Sequence, residues 1–204
     1  MIETQTANNP DNEQRDYFRV QTEGFIEVIP CHKGDDLNHL ANLFRPSPLL
    51  MLMEQCQKMD CEAQKLLSEL YDLNSNISQC FKLMQKKHNL LLEYLGSEQF
   101  THETPSPISI SESGLSSFTN QTLNIHQSIA IRIVFSSGYK SIQALGKVTR
   151  CERNSTEGYH LAAEFLNMHP SDKYILSRHI MQVQRNRAQH AKLAREDSQS
   201  PSLN

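Results

Sequence analysis

The sequence predicts a mainly β fold with an α extension: a small antiparallel barrel or sandwich, split by a long helical insertion and followed by a C-terminal helix. Three observations carry this expectation. Short segments rich in β-branched residues recur at regular spacing after residue 105, separated by turn signals. Residues 49–95 contain neither Gly nor Pro. Within that stretch, apolar residues return at alternating steps of three and four, a period that strands do not show.

Taken in order, residues 1–13 form a polar tail with little to bury, and 196–204 read the same way. In QRDYFRVQ, residues 14–21, two arginines bracket an aromatic pair, Tyr17 and Phe18. FRVQTEGFIEVIP (18–30) is strand material closed by Pro30. Residues 31–48 are mixed, with a short helix expected around DDLNHLANLF and breakers at Pro46 and Pro48. The first unit of the fold therefore spans 14–48.

The insertion is 49–95. From Leu49, thirteen of the fourteen positions reached by steps of three and four are apolar or aromatic, Lys87 being the exception. A period of 3.5 over more than six heptads is a coiled-coil seam. Its members Leu52, Met59, Leu66, Leu70, Leu73, Ile77, Met84 and Leu91 are expected to join copies of the chain, as a dimer or tetramer. The unbroken phase favours one continuous helix, about 70 Å long at 1.5 Å per residue. The competing geometry is a hairpin of two helices that breaks at Asn74-Ser75-Asn76, three poor helix formers.

After a Ser/Thr/Pro-rich linker, the remainder of the barrel and the last helix occupy 105–190. ISI (108–110), the turn SESG, LSSF, SIAIRIVF (128–135), QALGKVTRCE (143–152) and GYHLAAEFL (158–166) are its strands. In HPSDKYILSRHIMQVQR, Ser171 is the expected N-cap and Asp172 sits in the first turn. Ile175, Leu176, Ile180 and Val183 mark the packing face, and the basic residues beyond read as a solvated face.

Composition narrows function. Net charge is −3, which opposes broad binding to nucleic acid polymers. Five cysteines with no CxxC pair point to reduced thiols in the cytoplasm, not to zinc or a disulfide framework. Nine histidines include no HExxH pair, so no metal or cofactor is expected. No apolar run approaches a membrane span, and the N-terminus lacks the apolar region of a secretory signal. No nucleophile–base pair or phosphate-cradling glycine loop suggests catalysis.

The order of these features resembles the PilZ domain, a small bacterial β-barrel of about six strands whose members bind cyclic di-GMP. The resemblance covers roughly 14–30 and 105–190, and the heptad insertion resembles atypical PilZ proteins assembled by long helices. Two family motifs are present: RxxxR as Arg15-Asp-Tyr-Phe-Arg19, and (Asp/Asn)xSxxG as Ser109-Ile-Ser111-Glu-Ser-Gly114, with Ser109 where the family usually has Asp or Asn. By resemblance, Arg15 and Arg19 would grip phosphate and guanine. The residue at 109 would read a guanine edge, Ser111 would add a hydroxyl, and Gly114 would let the backbone turn. The implied function is a cyclic di-GMP receptor that signals through a protein partner. The alternative is a degenerate domain that binds no nucleotide and acts as an oligomeric adaptor.

Overall fold

A computed structural model describes residues 18–31, 40–45, 47–70, 75–154 and 158–199. Six strands alternate with helices in the order β1 (Val20–Pro30), α1 (Leu40–Leu43), α2 (Pro48–Leu70), α3 (Ser75–Gln99), β2 (Ser106–Ser111), β3 (Gly114–Thr119), β4 (Ser128–Phe135), β5 (Ser141–Asn154), β6 (Gly158–Met168) and α4 (Pro170–Gln199). The strands close into a barrel in the order β1-β2-β3-β6-β5-β4. Every neighbouring pair is antiparallel. The sequence left barrel and sandwich open; the closed ring selects the barrel.

Side chains of alternate residues fill the interior, as the period of two in a strand requires. Val20, Ile108, Ile110, Leu115, Ile131, Ile133 and Leu161 lie at its centre, each at most 1% exposed. In β4 the opposite face is buried as well. Ala130 packs with Leu40 and Phe44 of the α1 region, and Val134 packs with Leu50, Met53, Leu92 and Phe100. Between them Arg132 points outward but is covered: it pairs with Glu27 of β1, donates to the Arg45 carbonyl at 3.2 Å, and lies 4.7 Å from the Phe44 ring centre. SIAIRIVF is almost continuously apolar because helices cover the barrel here.

The insertion corrects the expectation of one continuous helix. It forms two, and they run antiparallel. Gln64 Nε2 donates to Gln85 Oε1 at 2.9 Å, Gln85 Nε2 donates to Asp60 Oδ1 at 3.2 Å, and Asp60 lies 4.0 Å from His88. As the α2 partner moves back, the α3 partner moves forward, which only a hairpin allows. The heptad phase persists across the break because both helices use the same stripe.

Beyond its first positions, Leu49 and Cys56, which pack beside Val134 of the barrel, that stripe is largely exposed among the described residues. The helices meet along Met53 and Gln64 of α2 and along Gln85 and Leu92 of α3. The seam residues sit one position earlier on each helix, a rotation of about 100°. Because the two helices point in opposite directions, these rotations bring both seams to the same side of the hairpin. Leu52, Met59, Leu66, Ile77, Met84 and Leu91 are accordingly between 47% and 63% exposed. Leu73 lies outside the described residues, as does the side chain of Leu70.

The hairpin is fastened at its end. α3 runs on through Gly96 to Gln99. A Cβ at Gly96 would lie 2.3 Å from Cγ of Tyr139, so only glycine lets the helix approach this ring. Phe25, Phe100 and Tyr139 then stack in series, with ring centres 4.1 and 6.0 Å apart.

α4 closes one end of the barrel with Ile175, Leu176 and Ile180, the expected packing face. Its cap differs from expectation. The helix starts at Pro170, whose missing N–H suits the first helical position, and the His169 carbonyl accepts from Asp172 and Lys173 N–H at 3.0 Å each. Ser171 lies inside the first turn. Asp172 accepts from the Gln143 N–H at 3.4 Å, and burial pushes its carboxyl up to about 6. His179 stacks on Phe135 at 3.8 Å and is in hydrogen-bond contact with Thr22 Oγ1 at 3.0 Å; burial, then the charge of Lys140, lowers its pKa to about 4.

Candidate functional site

Helices cover the barrel over β4 and leave β2, β3 and β6 open. On that open face the outward residues of neighbouring strands meet in register: Gln21 opposite Ser109, Ser109 opposite Ser116, and Phe118 opposite His160. Together with Arg19, Thr149 and Arg150 they line a shallow cleft of about 470 Å³. None of its lining residues is acidic. A chain of net negative charge thus places two guanidinium groups in one cleft whose described lining holds no carboxylate.

Each cation has a local reason for its place. Arg19 directly precedes β1, so it stands at the mouth of the barrel beside Gln21. Arg150 reaches the cleft through a bulge. β5 and β6 pair Val148 with Ala163 but Arg150 with Ala162, which leaves Thr149 as an extra residue. Without it, Arg150 would share the inward face of Val148. With it, the guanidinium emerges beside His160, Nη2 and Nδ1 being 3.5 Å apart. The His160 ring also meets Phe118 edge-on at 5.5 Å. A third arginine borders the site, where Arg187 of α4 donates to the Gln21 carbonyl at 3.0 Å.

The residues expected from sequence separate into three groups. Arg19 and Ser109 lie together in the cleft. Ser111 and Gly114 do not line it. Ser111 is fully buried at the β2–β3 turn, its hydroxyl donating to the Gly114 carbonyl at 3.3 Å and lying 3.1 Å from Ser113 Oγ. At Gly114 a Cβ would fall 2.4 Å from the Ala163 carbonyl oxygen, so the glycine is needed for the β3–β6 approach. Arg15 lies outside the described residues. Sequence reasoning missed Arg150, His160 and Phe118. Strand alternation could have placed Phe118 and His160 outward, but nothing in GKVTRCE announces the bulge.

Residues 93–182 match the family model of the PilZ domain. That stretch, a little under half of the chain, is the part similar to a PilZ domain. The match begins in α3 and ends in α4, so it takes in β2 to β6 and leaves β1 and Arg19 outside. Among solved structures, the chain is similar to a Xanthomonas campestris protein described as a tetrameric PilZ domain self-assembled via a helical bundle. That likeness has a TM-score of 0.49 at 14% identity and covers 85% of this chain and 91% of that one. It is also similar to the PilZ domain of YcgR from Escherichia coli, solved with cyclic di-GMP, with a TM-score of 0.32 at 16% identity over 44% of this chain and 79% of that one. No curated protein matches the sequence. Among the described residues, no cluster of three or more His, Cys, Asp or Glu could hold a metal ion, and no helix is long and apolar enough to cross a membrane.

Proposed function

We propose that this chain is a PilZ-type cyclic di-GMP receptor that assembles through its helical hairpin and relays the signal to a protein partner. Its role is recognition rather than catalysis. The observation that carries the reading is the cleft between Arg19 and Arg150, whose described lining holds no carboxylate. A guanidinium binds phosphate through paired N–H groups and stacks on a purine face. Two of them beside Ser109, Ser116 and His160 offer both contacts to a ligand with two phosphates and two guanines. Arg15, four residues before Arg19, would add a third guanidinium. The five cysteines form no disulfide, which fits a reducing cytoplasm.

Calorimetric titration of cyclic di-GMP into wild type and into Arg19→Ala and Arg150→Ala variants tests this. Saturable binding is expected, weakened roughly 10- to 100-fold by each substitution, as for loss of a charge-assisted hydrogen bond. Absence of heat from a folded protein would defeat the receptor reading.

One observation favours the second reading, an adaptor without ligand. Ser111 spends its hydroxyl inside the turn, and Ser109 offers no carboxylate to a guanine edge. Both readings share the hairpin. Its exposed apolar stripe is proposed to meet the same stripe of a second copy, burying Met59, Leu66, Met84 and Leu91. Replacing Leu66 and Met84 with lysine is expected to reduce the sedimentation mass to that of a monomer while the barrel stays folded.

A further inference from the structure

The hairpin and the barrel do not close completely on one another. A cavity of about 520 Å³ remains between α2, α3, the β4–β5 turn and the first half of α4. Sites for small molecules span about 300–1,000 Å³. Its walls carry two cations from different elements, Lys140 and Arg178.

Lys140 is half-buried, and among the described residues its side chain has no hydrogen bond or ion pair. Its pKa is lowered, first by burial and then by the like charge of Arg178; the attraction of Asp60 is a smaller effect. Arg178 is fixed through one nitrogen. Nη1 donates to Gln64 Oε1 at 2.6 Å and to the Tyr174 hydroxyl at 3.2 Å. Gln64 donates onward to Gln85, and Gln85 to Asp60, so a relay from α4 through α2 to α3 sets the guanidinium's position. Nη2 and Nε have no partner among the described residues. Of the acidic residues on these walls, Asp60 accepts from Gln85 and lies 4.0 Å from His88, and Glu93, its carboxylate beside the Gly138 turn, attracts Lys140 more weakly than Asp60 does. The half-buried Lys140 and the more exposed Arg178 repel across the cavity, and an anion between them offsets that cost.

We propose that this cavity is a second ligand site, separate from the cleft, for a small organic anion. A phosphate or carboxylate of that ligand sits between Lys140 and Arg178, and its uncharged part lies against Met53 and Leu92. Because its walls come from hairpin and barrel together, the bound ligand favours the docked hairpin.

The test titrates the full chain with AMP, with succinate and with inorganic phosphate. Saturable binding of AMP or succinate is expected at micromolar to millimolar concentration. It should weaken at least about tenfold in Lys140→Met and in Arg178→Met, and persist in Arg19→Ala. AMP alone identifies a phosphate ligand; succinate alone identifies a carboxylate. Three results would overturn the proposal: no saturable binding of either organic probe up to about 10 mM, binding that survives Lys140→Met, or binding lost in Arg19→Ala. Inorganic phosphate binding as tightly as AMP would overturn the organic-ligand assignment. Lys140→Met decides even if Arg178→Met unfolds the relay, since Lys140 has no polar partner to lose.

Discussion

The barrel has two outer faces, and they have been put to different uses. Over β4 the outward positions Ala130, Arg132 and Val134 are buried beneath α1, α2 and α3. Over β2, β3 and β6 the equivalent positions carry Ser109, Ser116, Phe118 and His160 and stay open. The same pleated surface is a second core on one side and a recognition surface on the other. What decides is whether the sequence supplies an apolar helix to cover it.

The largest expected effect separates the faces by stability. Phe100 is buried in the stack with Phe25 and Tyr139, whereas Phe118 is only partly buried and meets His160 edge-on. Phe100→Ala is expected to lower unfolding stability by about 3–5 kcal/mol, as for large-to-small changes in a core. Phe118→Ala should cost less than about 1 kcal/mol, since surface substitutions seldom cost more. Urea melts of both variants measure this, and equal losses would erase the distinction.

A smaller effect is pH dependence on the covered side. His179, lowered to about 4, is neutral in the folded chain, so its contribution is present above its ordinary 6.5 and is lost as pH falls towards 4. Asp172, raised from 3.8 to about 6, behaves oppositely: its contribution is greatest below 3.8 and is lost as pH rises through about 6. The two nearly cancel across that window, so wild-type stability should be flat there. Asp172→Asn leaves the histidine unopposed, and stability should fall by roughly 2–3 kcal/mol from pH 7 to 4. His179→Gln should reverse the slope. Parallel profiles for wild type and both variants would show that neither group governs acid stability.

Legibility in the sequence followed the same division. The strands and the packing face of α4 could be read because burial imposes a period, and a period survives in the order of residues; the heptad stripe shows a period too, but its side chains are exposed in the single chain. Arg19 and Ser109, which line the cleft, both belong to motifs legible in the sequence. The hairpin was not resolved, because an antiparallel fold-back and a straight helix share one heptad phase. Arg150 was missed for a more general reason. A single extra residue at Thr149 turns every later side chain of β5 to the other face, and a bulge leaves no compositional mark. Two motif residues, Ser111 and Gly114, stand outside the cleft lining, in the β2–β3 turn and at its approach to β6.

The finest test lies within the open face. Ser109 sits outward on β2 between Gln21 and Ser116, so a larger polar side chain there meets solvent and not the core. Asn offers a carbonyl acceptor that reaches further than the serine hydroxyl. If the cleft reads a guanine edge at this position, Ser109→Asn should tighten cyclic di-GMP binding about 5- to 10-fold, near 1 kcal/mol, with the melting temperature unchanged. A gain in affinity without a change in stability is what an open face permits and a covered face does not. Unchanged affinity in Ser109→Asn, with Arg19→Ala still weakening the ligand, would place the guanine away from β2 and towards Arg150 and His160.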